Sequence, residues 1–190
     1  MRTQPTRSWR GVSADDRRAQ RRARFIEAGL EIIGTKGWAN TTVQGVCRES
    51  GLTQRYFYDA FADRDALLIV VFEQIHDEAL AGVVDAVRGS SATDTRSKAR
   101  EAIAAGLAVL LDDPRKGRIL MLEGSTNEVL QQRRRDRMST TAMMLSMIAQ
   151  EHFATRRGDP TDVLLTAHAI VGAETELVTT YLSGRFNISR

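Results

Sequence analysis

An all-α fold follows from three features of these 190 residues. Apolar residues recur at three- and four-residue spacing along most of the chain. No stretch sustains the period-two alternation of a strand, and capping residues stand at regular points before the periodic runs. The length is enough to bury a core without crosslinks, and the single cysteine, Cys47, has no intrachain partner. The chain shows no apolar leader segment. Its most apolar run, Ala102 to Leu111, is too short to cross a bilayer, so a cytoplasmic protein is expected.

The elements follow in order. Residues 1–12 mix Arg, Thr, Ser, Pro and Gly without periodicity and read as a flexible basic arm. Ser13-Ala14-Asp15-Asp16 has the form of a capping box, so a helix starts there. It runs to about Lys36 on a stripe of Phe25, Ala28, Gly29, Ile32 and Ile33, with Gly37 ending it. Thr41-Thr42-Val43-Gln44 repeats the capping logic, with Gln at the third position, for a short helix to about Ser50. Thr53 is placed to cap another, from Gln54 to about Ala60, and Asp63 to cap a long one from Arg64 to about Arg88. After a loop at 89–93, helices are expected over about 94–111, 115–124, 126–155 and 160–183. Pro114 and Pro160 sit where a missing N–H does no harm.

Charge separates the two ends. Residues 1–65 hold 12 Lys/Arg against 8 Asp/Glu, a balance of +4, and the rest are close to neutral. A basic end on a neutral body suggests contact with a polyanion. The strongest local signal, Thr41 to Phe61, lies in that end. Two short helices meet at Gly51-Leu52-Thr53, a turn that needs the left-handed freedom of glycine. Val46, Cys47, Leu52, Phe57 and Phe61 would pack inward on Phe25, Ile32, Ile33 and Trp38. That leaves Gln54, Arg55 and Tyr56 at the exposed start of a recognition helix. Arg can pair bidentately with guanine and Gln with adenine. Thr41, Thr42 and Tyr58 carry hydroxyls suited to phosphate oxygens, and Arg17, Arg21 and Arg24 share a helical face that could follow a phosphate backbone.

Together Gly37-Trp38, Thr41-Thr42-Val43, Gly51-Leu52-Thr53, Phe57-Tyr58 and Phe61-Ala62-Asp63-Arg64 with Leu67-Leu68 resemble the N-terminal signature of the TetR family of transcriptional regulators, across residues 17–68. The resemblance implies a helix-turn-helix DNA-binding domain, at residues 13–62, on a helical body for ligand binding and dimerisation, at 63–190. It also implies phosphate contacts from Tyr58 and Arg64. One departure is Ala60, where the family often has histidine, so no phosphate contact is expected there. Ala169-Ile170-Val171-Gly172-Ala173 is similar to the family's dimerisation helix.

Other signals are weaker. The run ending Gly34-Thr35-Lys36 nearly spells a phosphate-binding loop, but its order is wrong and it closes a helix. Cys47 reads as a small buried thiol, and His76, His152 and His168 have no partners at metal spacing. Arg133-Arg134-Arg135 reads as a solvated face. No catalytic constellation can be argued from local sequence, so neither an enzyme nor a cofactor is expected.

The expectation is a homodimeric repressor that binds a palindromic operator on duplex DNA and is released by a small, largely apolar effector. Its rival is a dimeric DNA-binding protein whose body only dimerises or binds protein partners. A cavity in the body would separate the two. The effector's wall is expected near Phe72, His76, Leu107, Met121, Glu123, Asn127 and Met144. The last two helices carry more apolar surface than one side of a core needs, which places Met147, Val163, Ala167, Val171, Glu174 and Val178 at the dimer interface.

Overall fold

The computed structural model describes residues 13–124, 127–152 and 159–185, which fold into helices and their connections without a strand. The arm expected at 1–12 lies outside the described residues, as does the stretch 153–155 expected to continue the penultimate helix.

Helix α1 (Ala14–Lys36) begins at the expected capping box. Asp16 N donates to Ser13 Oγ at 3.0 Å, and Ser13 N donates to Asp16 Oδ2 at 3.2 Å. A cap of this kind contributes about 1 kcal/mol. After one 3₁₀ turn at Trp38–Asn40 come α2 (Val43–Ser50) and α3 (Gln54–Ala60). The capping register of α2 is one residue later than the sequence reading. Thr42, not Thr41, accepts from a helix N–H, that of Gly45 at 3.0 Å. Gly51 ends α2 at φ +65°, the left-handed geometry the turn requires. Thr53 stands at the N-cap of α3 but its hydroxyl makes no capping bond, a correction to its expected role.

The body starts with α4 (Arg64–Gly89), capped by Asp63, and α5 (Thr95–Leu111), capped by Asp94. The expected helix over 115–124 is a short α-turn, α6 (Pro114–Gly117), running directly into a π-helical turn at Arg118–Glu123. This segment packs against α1, α4 and the last helix, which is why the consecutive Ile119, Leu120 and Met121 are all buried. Helix α7 (Glu128–His152) starts at Asn127, whose Oδ1 accepts from Val129 N and Leu130 N. Helix α8 (Pro160–Leu182) starts from Asp159 with proline in its first turn.

One core runs through α1–α4 into the π turn and the start of α7, through Phe25, Ile33, Phe57, Leu68, Ile119 and Leu130. A smaller cluster of Ala142, Ala167 and Val171, flanked by Met138 and Leu145, joins α7 to α8. The two ends are also tied at the surface. Arg115 pairs with Glu31 and Asp113 at 2.7 Å and with Glu27 at 3.5 Å, which pins α6 to α1. The approach needs a glycine: a Cβ at Gly34 would stand 2.4 Å from Arg115 Cβ. Among the described residues no helix is long and apolar enough to cross a membrane.

Candidate nucleic-acid interface and internal cavity

Helix α3 is anchored from one side and bare on the other. Phe57 is fully buried and packs edge-on against Phe25 at 5.4 Å, with Phe61 at 5.5 Å. Gln54, Arg55, Tyr56 and Tyr58 are all exposed, Tyr58 by 57%. Thr42 is exposed next to them, although its hydroxyl is engaged as the α2 cap.

Arginines hold this arrangement by donating to backbone carbonyls. Arg24 Nη2 donates to Ser50 O at the end of α2, and Arg22 Nη1 donates to Ala60 O at the end of α3, at 3.0 Å. Helix C-termini leave carbonyls without intrahelical partners, and a cation there also suits the helix dipole. The Arg22 guanidinium lies 4.4 Å from the Phe61 ring centre and that of Arg21 4.6 Å from Tyr56.

One sequence expectation is corrected here, and two arginines prove to have partners within the fold. Thr41 is fully buried and its hydroxyl donates to Gly37 O, so it is closed off from a phosphate. The half-buried Arg64 donates to Thr41 O at 2.7 Å and stacks 4.3 Å from Trp38, so it fastens α4 to the turn before α2. Arg24 is likewise committed to the fold rather than free on a phosphate-facing stripe. The sequence signal that was missed is spacing: each of these arginines is aligned with the end of another element, which no local pattern reveals. Cys47 is buried as expected, and burial pushes its thiol up.

The body contains a cavity of about 110 Å³ between α4, α5, the π turn, α7 and α8. Of the residues expected there, Phe72, His76 and Met121 line it. The other four lie elsewhere. Leu107 borders a shallow surface hollow with Arg96 and Ile103, and Glu123 pairs with Arg118 beside Gly37. Asn127 is the α7 cap, and Met144 lines a separate groove with Val84 and Met147. Residues that the sequence reading missed, Arg134, Met138, Thr141 and Leu145, share one face of α7 at spacings of four, three and four, and all line the cavity. That face was legible in principle. The triple arginine hid it, because Arg133 pairs with Glu73 and Arg135 bonds Gln132, while Arg134 turns to the cavity.

Within the cavity wall, His76 Nε2 lies 3.1 Å from Thr141 Oγ1, and burial pushes its pKa down, which keeps the ring neutral. Arg137 pairs with Glu73 and with Asp77. Glu174 also lines the cavity, and burial pushes its carboxyl up. His168 Nδ1 bonds Leu164 O, and among the described residues no cluster could hold a metal ion.

The expected dimer residues divide. Ala167, Val171 and Val178 are buried inside the protomer, because that side of α8 packs on α7 and the main core. Val163 is half-buried beside them, and Met147 is 68% exposed. Large apolar side chains left in solvent include Met143 and Met147 on α7 and Leu165, Ile170 and Leu177 on α8.

Residues 25–71 match the sequence model described as bacterial regulatory proteins, tetR family. No curated protein matches the chain. Solved structures do. The fatty acid degradation regulator FadR of Bacillus halodurans is 17% identical, with 88% of this chain and 87% of that one covered, at a TM-score of 0.73. The transcriptional regulator FadR of Bacillus subtilis, solved in complex with stearoyl-CoA, is 20% identical over 87% and 89%, also at 0.73. A TetR-family regulator of Syntrophomonas wolfei is 15% identical over 88% and 86%, at 0.71. The chain thus resembles the bacterial regulatory proteins of the tetR family in the sequence of residues 25–71, and over most of its length it has the fold of solved regulators of that kind.

Proposed function

We propose that this chain is a ligand-responsive transcriptional repressor, which binds a palindromic operator as a homodimer and is released when a small, largely apolar effector occupies its body. Residues 13–62 form the reading unit and 63–190 the dimerising and sensing body. The observation that carries this reading is the two-sided α3, clamped by Phe57 within the core while Gln54, Arg55, Tyr56 and Tyr58 stay exposed. In the bound state Arg55 and Gln54 read base edges, and Tyr56, Tyr58 and Thr42 face the backbone.

A twofold dimer is supported by the apolar side chains that α7 and α8 leave in solvent, which a second copy would cover. Effector control is supported by the cavity, a half-open hollow whose wall is mostly apolar with a few polar groups, as ligand sites are. The likeness to a regulator solved with stearoyl-CoA supports an effector with a long apolar part. Selection of bound duplexes from a random pool tests the reading. A palindromic consensus whose half-sites change with Arg55→Ala is expected, and retention of no sequence above background would overturn it.

A further inference from the structure

The cavity in the body is too small by itself for an ordinary small-molecule ligand, which needs roughly 300 Å³ or more. It does not stand alone. A second apolar chamber of about 350 Å³ lies between α4, α5, α7 and α8, walled by side chains such as Val87, Ala102, Ile148 and Ala167. Its polar side chains are Thr95, Asp162 and Thr166. The two chambers share Val83 and Leu145, both half-buried, as their common wall. Val83 has room because the residue facing it is Gly106: a Cβ there would stand 2.9 Å from Val83 Cγ2.

The charges of the inner chamber are uneven. Arg137 is matched by Glu73 and Asp77. Arg134 lines the same wall and has no ion pair or hydrogen bond among the described residues. Glu174, across from it on α8, also lacks a partner there. Burial pushes the Glu174 carboxyl up, which weakens it as a counter-ion for the arginine, and its protonated form can donate a hydrogen bond. Arg134 is half-buried, so its charge has lost part of its hydration, and an anion at this wall would offset that loss.

We infer that the two chambers are one channel for an alkyl-chain ligand with a compact acidic head. The head is held at Arg134 in the inner chamber, and the chain passes Val83 and Leu145 into the outer one. This rests on the effector reading above, and it names which end carries the charge and which residues measure the chain.

Isothermal titration of the full-length protein with octanoate, dodecanoate and hexadecanoate tests it, beside the alcohols and alkylammonium ions of equal length. Affinity for the acids should rise about fourfold per methylene until the channel is full. Arg134→Gln should lower acid affinity about 10-fold or more and leave alcohols unchanged. Ala99→Phe, which fills the outer chamber, should abolish the gain beyond octanoate without weakening octanoate itself. Gly106→Ala, whose added methyl would press on Val83 at the join, should also lower the gain beyond octanoate and guards against misfolding of the first variant. Coenzyme A thioesters run alongside separate a free carboxylate from a carrier's phosphates as the source of charge. A thioester preference would place the charge on a bulky carrier and overturn the compact head. Tighter binding of alkylammonium than of acid would make Glu174 the anchor and overturn the inference, as would a chain-length dependence untouched by both filling variants. Operator binding by the same preparation keeps the two readings apart. DNA binding without any acid binding defeats the channel alone, and acid binding without DNA binding defeats the regulator alone.

Discussion

The two ends of this molecule are packed by different rules. In α1–α3 a small core is filled by three phenylalanines in mutual contact, and arginines tie the helix ends to one another. In the body, α5, α7 and α8 leave two chambers, a half-buried carboxyl with no partner among the described residues, and methionines in solvent. Under the proposed function the contrast has a use. A unit that presents side chains to DNA in one geometry would gain from a filled core, because close-packed interiors have little slack. A unit that changes shape when a ligand enters would need unfilled volume. The join between them is itself tight, through Gly34, Arg115 and the acidic groups around it.

The largest test of that contrast is a pair of truncations. Phe57→Ala should cost about 3–5 kcal/mol and abolish DNA binding, whereas Met138→Ala, on the cavity wall, should cost under about 2 kcal/mol. Equal losses in denaturant titrations would break the comparison. Leu177→Asp comes next. It puts a charge among the exposed apolar residues of α8 and should weaken dimerisation about a hundredfold or more, read by sedimentation, with no loss of helicity.

Arg55→Ala should remove about 1–3 kcal/mol of preference for the correct half-site base and leave the melting temperature unchanged, because the side chain is fully on the surface. Arg24→Ala sharpens the comparison from the other side. As a carbonyl clamp it should cost about 1 kcal/mol of stability and leave the salt dependence of operator affinity unaltered. A phosphate contact would instead lower that slope by about one. The smallest effect is at Glu174. Its folded-state pKa is raised, so the buried carboxyl opposes folding above its ordinary value of 4.5 and is neutral to stability well below it. Glu174→Gln should raise the melting temperature at pH 7, with the gain fading as the pH falls through the raised folded-state value and gone below 4.5.

Much of the reading end was legible because its determinants are local. Ser13 and Asp16, Gly51, the inward Phe57 and the outward Arg55 each follow from neighbours within one or two turns. The misplacement of Thr41 by one register shows the limit even there. Two threonines in a row offer two caps, and only the buried surroundings of Thr41 decide which one turns inward.

By itself the sequence determined the helical class, the order of most elements, the caps at Ser13 and Asp63 and the helix-turn-helix, since periodicity, capping and turn chemistry act over a few residues. The tertiary structure alone decided the rest. It committed Arg22, Arg24 and Arg64 to carbonyls 38, 26 and 23 residues away, turned Ala167, Val171 and Val178 inward instead of toward a partner, and set Arg134 on the cavity wall while Leu107, Glu123, Asn127 and Met144 went elsewhere. The physical reason is that an amphipathic helix specifies that it has an apolar face but not what that face meets. Which charges are matched, and which volumes stay empty, depend on residues brought together across the whole chain.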